Sequence, residues 1–513
     1  MRVTLLNDSF PPVIDGVANV VMNYAKIMKE QGLAEPMVGT PRYPDETYDG
    51  YPYPVIPYQS INTTGIVSGY RTGNPFATHA IEELKEFRPD IIHSHCPVVS
   101  TIMARMLRRE TDAPIIFTYH TKFDIDIARA VKAKFIQKES IKTLVDNISA
   151  CDEVWVVSGG AGENLRSLGY AGKYLVMPNG VDFEKGRMDD HSVSQATKDY
   201  DLPENVPVFL FVGRIIKYKG LPLILDSMKI LKENEMDFRM VIVGSGPDEE
   251  ELKEKAEELG LGDKVFFVGP IHDRKVLRAW NTRADLFLFP STYDTNGLVV
   301  REAAACGIAS VLIKGSCAAE GITDLHNGYL IEESAEAMAE CLRKACRDLS
   351  RVHQVGQAAM DEIYLSWDSA VRRAVNRYEA VIELHKSFSM TERKYHSSDH
   401  FLNMAASFVS ATENAFQAPK RWREGMLENV AEAKDSMKES ITETTDMLVA
   451  GVRETKESIA GRVQEAKENM TDRMQEAKEN MADRMQEAKE NMTDRMQEAK
   501  ESVKSWIQDR SKE

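Results

Sequence analysis

Pro207-Val-Phe-Leu-Phe-Val-Gly213-Arg214-Ile-Ile-Lys217-Tyr-Lys219-Gly220 holds the pattern that decides the fold. The run Pro207–Val212 is apolar without alternation, so with its closing glycine Pro207–Gly213 reads as a strand buried on both faces, the kind found in parallel sheets covered by helices. A glycine and a cationic loop follow it, and then a helical pattern opens at Leu221. Outward from this unit the same alternation recurs. Strands are predicted at Met240–Gly244, Lys264–Gly269, Leu286–Pro290 and Ala309–Ile313, and an earlier set at Arg2–Asn7, Asp90–Ser94, Pro114–Thr118 and Glu153–Ser158. Two sets joined near Met177-Pro178-Asn179-Gly180 imply two doubly wound, Rossmann-like domains rather than a single (β/α)8 barrel of similar length. Ligands of such domains bind beyond the carboxyl ends of the strands, so chemistry is to be sought in those loops.

Composition narrows the function. The chain has 513 residues, 43% hydrophobic and 28% charged, which is enough apolar material for large cores and excludes disorder throughout. Lys and Arg number 64 against 80 Asp and Glu, a net charge of −16 that argues against a general nucleic-acid partner. No run of 18 apolar residues predicts a membrane span, and MRVTLLNDSF reads as a strand rather than a signal peptide. The six cysteines show no C-x-x-C spacing, so neither a structural zinc site nor a disulfide frame is expected. A cytosolic protein with reduced domains is the expectation. One stretch runs against the acidic average. Arg129, Lys132, Lys134, Lys138 and Lys142 face a single Glu, a local patch that suits an anionic surface or a solvated helix face.

Four loops carry candidate chemistry. In the first, Gly16 precedes a helix predicted from Val17, where backbone N–H groups could meet phosphate. No G-x-G-x-x-G is present, which leaves dinucleotide binding little support. His93, His95 and His120 lie at strand ends, where catalytic groups belong. Zinc binding and a structural role compete there, although no acid stands at ligand spacing. In the third loop Arg214, Lys217 and Lys219 can hold a diphosphate without a P-loop. The fourth, Ser291-Thr-Tyr-Asp294-Thr-Asn296-Gly297-Leu298-Val299-Val-Arg-Glu302, sets Gly297 at a helix start with a carboxylate on either side. Amides for phosphate and carboxylates for sugar hydroxyls together describe a nucleotide-sugar site.

With Gly16, Tyr119-His120-Thr, Pro178-Asn-Gly-Val-Asp182, Gly213-Arg214…Lys219-Gly220, Val243-Gly-Ser-Gly-Pro247 and Asp294…Glu302 in this order, residues 1–385 resemble a family-4 retaining glycosyltransferase of the GT-B fold, of the bacterial, glycolipid-synthase-like type. The resemblance implies two Rossmann-like domains facing a cleft. The N-terminal acceptor domain would span 1–178 and be completed by a helix at about 368–386 after Trp367. The C-terminal nucleotide-sugar domain would span 179–367. It further implies that Arg214 and Lys219 clamp the donor diphosphate, that Glu302 bonds the ribose, that His120 contacts the donor sugar, and that neither metal nor cofactor is needed. Asp294, Asn296, Gly297, Leu298 and Val299 complete the donor site. Asp294 stands where the family usually has Glu, a shorter arm that bears on the identity of the sugar.

Residues 387–513 form a different segment, low in Gly and Pro, ending in RMQEAKENMTD, RMQEAKENMAD and RMQEAKENMTD. Eleven residues over three turns keep Met474, Met485 and Met496 on one stripe of a nearly straight helix, with Lys and Arg at its margins. A lipid surface, self-association and a solvated helix are the competing readings of this amphipathic tail. The resulting expectation is transfer of a hexose from a nucleoside-diphosphate sugar, with UDP favoured, to a lipid hydroxyl such as that of diacylglycerol. The enzyme would then be peripheral on the inner membrane face, its membrane contacts being Lys132, Lys134, Lys138, Lys142, Met474, Met485 and Met496. The alternatives are a soluble or polysaccharide acceptor with an oligomerising tail, and a non-catalytic scaffold with a lipid-binding tail.

Overall fold

In a computed structural model the chain divides into one unit, Met1–Ser410, and another, Ala411–Glu513. The structure describes residues 1–387 except 14, 45, 63–70, 125, 126 and 128–133. The tail repeats, with Met474, Met485 and Met496, and also Lys132, lie outside the described residues.

Two parallel sheets dominate. The strands of the first are β1 (Arg2–Leu6), β2 (Glu35–Pro41) and β3 (Val55–Tyr58), then, after a short antiparallel pair β4 (Ser60–Asn62) and β5 (Arg71–Gly73), β6 (Ile91–Ser94), β7 (Ile115–Tyr119), β8 (Glu153–Val156) and β9 (Leu175–Val176). Their order is β3-β2-β1-β6-β7-β8-β9. The second sheet contains β10 (Val208–Val212), β11 (Arg239–Val243), β12 (Val265–Gly269), β13 (Leu286–Phe289), β14 (Ala309–Ile313) and β15 (Tyr329–Ile331), in the order β12-β11-β10-β13-β14-β15. The order reverses between β1 and β6 and between β10 and β13, and those switch points are where a doubly wound sheet opens a crevice.

Each sheet is apolar on both faces for a visible reason. Every residue of β10, β11, β13 and β14 is buried, and helices such as Leu221–Glu233 and Ala335–Ala345 set Ile224, Leu225, Met338 and Leu342 against them. The helix Trp367–Ser387 belongs to the first sheet's core, where Trp367, Val371, Tyr378 and Val381 pack with Val3, Leu5 and Trp155. The chain reaches it through a bridge between Val181 and Ser366, beside Gly180. A Cβ on Gly180 would come within 2.4 Å of the Trp367 backbone nitrogen, so only glycine allows that approach.

The nine predicted strands are all present, Ala309–Ile313 with both ends unchanged and the others with an end moved by at most two residues. The largest difference follows β8, where Ser158 is not strand but the cap of the helix Gly159–Ser167, its Oγ accepting from Ala161 N–H at 3.0 Å. The first helix begins at Gly16, one residue before the expected Val17, because the Asp15 carboxylate accepts from Val17 and Ala18 N–H.

Candidate active site

The second sheet builds one wall of a cleft from the loops after β10 and β13. Behind β10 the chain makes a 3-10 turn at Lys217–Lys219 and ends it at Gly220, φ +84°. A Cβ at Gly220 would lie 2.5 Å from the Pro290 carbonyl, so glycine lets this turn press against the end of β13. That contact brings Lys219 onto Asp294. Its Nζ donates to Asp294 Oδ1 at 2.9 Å, and Ser291 Oγ donates to Oδ2 at 2.5 Å. Arg214 is exposed, and its guanidinium has no ion pair or hydrogen bond among the described residues. Gly297 takes the left-handed conformation, φ +56°, and opens the helix Leu298–Ala305 with no side-chain cap. Beside it the Asn296 Nδ2 group is buried without a hydrogen-bond acceptor among the described residues.

The first sheet supplies the opposite wall. Gly16, His120, Thr121 and Lys122 meet Arg214, Lys219 and Asp294 around a cleft of about 340 Å³. Two hydrogen bonds cross it: Thr295 Oγ1 donates to the His120 carbonyl at 2.6 Å, and Lys122 Nζ to the Thr292 carbonyl at 3.1 Å. A third tie stands beyond the cleft. The Glu320 carboxylate accepts from Gly159 and Gly160 N–H at 2.7 and 2.5 Å, so an acid of one domain caps a helix of the other. At Gly16 the structure alters the sequence reading: the residue lines the cleft, but the first free N–H groups of its helix are already taken by Asp15.

The three histidines divide in role. His93 is buried, with Nδ1 2.6 Å from Tyr378 OH and Nε2 2.6 Å from Thr118 Oγ1, the bonding of a structural residue. His95 is buried behind His120, and only His120 reaches the cleft. Burial lowers the pKa of His93 and His95 well below the ordinary histidine value and that of His120 to about 3, so all three rings are neutral. Among the described residues no cluster of three His, Cys, Asp or Glu side chains is arranged to hold a metal ion.

Glu302 is on the same helix as Gly297 but does not line the cleft volume. Its carboxylate pairs with the Arg274 guanidinium, which also holds Asp182 and lies 4.4 Å above the Phe183 ring. Burial raises the Glu302 pKa and Arg274 opposes the rise. Arg274, Lys122 and Glu320 stand in or beside the candidate site and were not singled out in the sequence. Asp182, within the quoted Pro178–Asp182 motif, was the one available pointer to Arg274.

Lys134, Lys138 and Lys142 are exposed on the helix Lys134–Ser149, four residues apart and so on one face. They rim an open hollow of about 470 Å³ with Ile141, Val145 and Leu168 on its lining. No helix among the described residues is long and apolar enough to cross a membrane.

Comparison with known proteins agrees with this geometry. Residues 14–185 match the model described as Glycosyltransferase Family 4, and residues 193–361 that described as Glycosyl transferases group 1. An alpha-monoglucosyldiacylglycerol synthase of Streptococcus pneumoniae is 24% identical over 314 residues, covering 60% of this chain and 70% of that protein. A sulfoquinovosyl transferase of Arabidopsis thaliana is 27% identical over 399 residues, 74% of each chain. A GDP-mannose-dependent alpha-mannosyltransferase of Corynebacterium glutamicum is 23% identical over 404 residues, 76% of this chain and 92% of that one. The solved structure of HepE from Anabaena in complex with UDP superposes with a TM-score of 0.59 at 17% identity, covering 74% of this chain and 100% of that one. Two Rossmann-like domains around this cleft define a GT-B glycosyltransferase, a hexosyltransferase using nucleotide-sugar donors. The chain belongs to the family-4 glycosyltransferases and has glycolipid synthases among its relatives.

Proposed function

We propose that the enzyme transfers a hexose, with retention, from a UDP-sugar to the hydroxyl of a membrane lipid such as diacylglycerol. The observation that carries the reading is the cationic wall: unpaired Arg214 beside Lys219, facing His120 across a cleft of about 340 Å³. As the sugar leaves, charge grows on the diphosphate. Arg214, Lys219 and the uncapped helix start at Gly297, with Leu298 and Val299 behind it, are fixed in advance to meet that charge. No metal or other cofactor is then required. Asp294 and Asn296 adjoin the sugar and phosphates, Glu302 holds the ribose, and His120 contacts the hexose.

The lipid acceptor draws support from two sides. Two of the relatives above bear the names of a glucosyldiacylglycerol synthase and a sulfoquinovosyl transferase. Lys134, Lys138 and Lys142 also form an exposed cationic row suited to an anionic leaflet, which gives the protein a peripheral place at the membrane. The deciding experiment is a donor panel of UDP-glucose, UDP-galactose and GDP-mannose, the last because one relative is named for it. Each donor is incubated with membrane extract and the labelled product partitioned. Label in the lipid phase from a UDP-sugar is the expected result. Label confined to the aqueous phase overturns the lipid acceptor, and preference for GDP-mannose overturns the base.

A further inference from the structure

His95 follows β6 and His120 follows β7, neighbouring parallel strands whose register pairs Ser94 with Phe117. The two rings therefore emerge side by side. His95 Nδ1 lies 3.0 Å from His120 Nε2, and the ring planes differ by 21° with centroids 5.2 Å apart. This is nearly in-line geometry for one N–H and one lone pair. Because burial keeps both rings neutral, each carries a single proton and the bond between them can run in only two ways.

The surroundings distinguish these. His95 is 1% exposed, and its Nε2 is buried with no partner among the described residues. If His120 donated, His95 would carry its proton on that Nε2 as an orphaned buried N–H. If His95 donates from Nδ1, the group left at Nε2 is a bare acceptor, and buried acceptors go unpaired more readily than buried N–H groups. The second arrangement leaves His120, which lines the cleft, with its proton on Nδ1, the ring nitrogen for which no partner stands among the described residues. We propose that His95 is a positioning residue that holds His120 in the Nδ1–H tautomer, so that the cleft offers the donor hexose an N–H donor rather than a lone pair. This rests on the reading of His120 as the sugar contact.

His95 is itself braced. His93 lies against it with ring centroids 4.0 Å apart, and both nitrogens of His93 are bonded, one to Tyr378 of the returning helix and one to Thr118. Tyr24 closes a further side, edge-on with its centroid 5.9 Å away. The returning helix thus reaches the sugar end of the cleft through a line of rings, which gives the chain a reason to cross back to its first domain.

The tautomer is read directly by nitrogen NMR of the full-length protein with ring-labelled histidine. The His120 signals are assigned by their loss in His120→Ala, and a protonated, pyrrole-type Nδ1 is expected. A bare, pyridine-type Nδ1 overturns the assignment without any variant. Turnover adds the functional side. His95→Asn can set an amide N–H where Nδ1 was and should keep kcat within about threefold, whereas His95→Leu has no donor and should lower kcat about tenfold, the scale of one lost hydrogen bond. Free UDP affinity should stay within about twofold in both, since the contact is with the sugar. Equal losses of UDP affinity and kcat in His95→Leu would make His95 a packing residue and overturn its positioning role. A protonated Nδ1 with full turnover in His120→Ala would strike down the sugar contact on which the proposal rests, while the tautomer itself would stand.

Discussion

Lys219→Ala tests the diphosphate site most severely, because Lys219 has two duties that can be separated. The side chain is 16% exposed, and its Nζ lies 2.9 Å from Asp294, itself 24% exposed. An ammonium so shielded acts on a phosphate oxygen about 4 Å away with about 4 kcal/mol at an effective dielectric of 20. Loss of one preorganised donor from an active site costs about 10²–10³ in kcat. We therefore expect kcat/KM to fall by about 10²–10³ in a steady-state assay of UDP release. The structural duty is smaller. Asp294 keeps its bond from Ser291, and a partly exposed ion pair contributes only about 1 kcal/mol, a shift of a few degrees in Tm at most. Lys219→Ala with Asp294→Asn removes the pair without leaving an unpaired charge. If the lysine served only to hold Asp294, the double variant would turn over no more slowly than Asp294→Asn alone; if it serves the diphosphate, the double variant falls about 10² below Asp294→Asn. Turnover within about threefold of wild type in Arg214→Ala/Lys219→Ala would refute the electrostatic argument altogether.

Other measurements test the surroundings. Arg274→Gln removes the cation that opposes the raised pKa of Glu302, so the carboxylate would take up its proton at a higher pH and donor KM should worsen on going from pH 8 to pH 6 more steeply than in wild type. The buried His93, His95 and His120 have folded pKa values below the ordinary one, so the folded state binds fewer protons than the unfolded. Their share of stability is complete above about pH 6.5 and is lost as the pH falls below it, at about 1.4 kcal/mol per pH unit for each, read as a lower urea midpoint at pH 5 than at pH 7. Glu320→Ala deletes two charge-assisted bonds between the domains and should enlarge the radius of gyration measured by X-ray scattering; an unchanged radius would deny the carboxylate a closing role. A chain ending near residue 400 should keep turnover on a detergent-dispersed acceptor. In the full chain, Met474, Met485 and Met496 changed to Glu should abolish flotation with anionic vesicles, and a tail-dependent oligomer that never floats would refute the lipid reading.

What the sequence disclosed of the fold depended on burial. β10, β13 and β14 stand in the middle of their sheet, are apolar at every position but Ser310, and are legible without any structure. The missed strands are those for which that signal is weak. β2 reads Glu-Pro-Met-Val-Gly-Thr-Pro, with two prolines and a glycine. β3 contains Pro57 and lies at the sheet edge, where proline is tolerated because one side of the strand lacks a neighbour. β9 has two residues, and β15 is a three-residue edge strand. Pattern reading fails where a strand is very short or broken by proline and glycine, because little continuous apolar sequence is left there to see.

The site divides in the same physical way. Arg214, Lys219, Asp294 and Gly297 follow strand ends directly, and a strand end with an abrupt glycine and a charge announces itself in a linear sequence. Arg274 does not, because its meaning depends on Asp182 and Glu302, 92 and 28 residues away. Lys122 and Glu320 depend on domains that meet only in three dimensions, 170 and 161 residues from their partners. The most instructive case is Asp294. Beside the family's Glu it reads as a shortened arm that reaches less far toward the sugar. In the structure its carboxylate is already held by Lys219 and Ser291, drawn toward the cation of the proposed diphosphate site. On the proposed function its length is matched to the lysine as much as to the hexose, which would couple donor choice and leaving-group stabilisation through a single carboxylate.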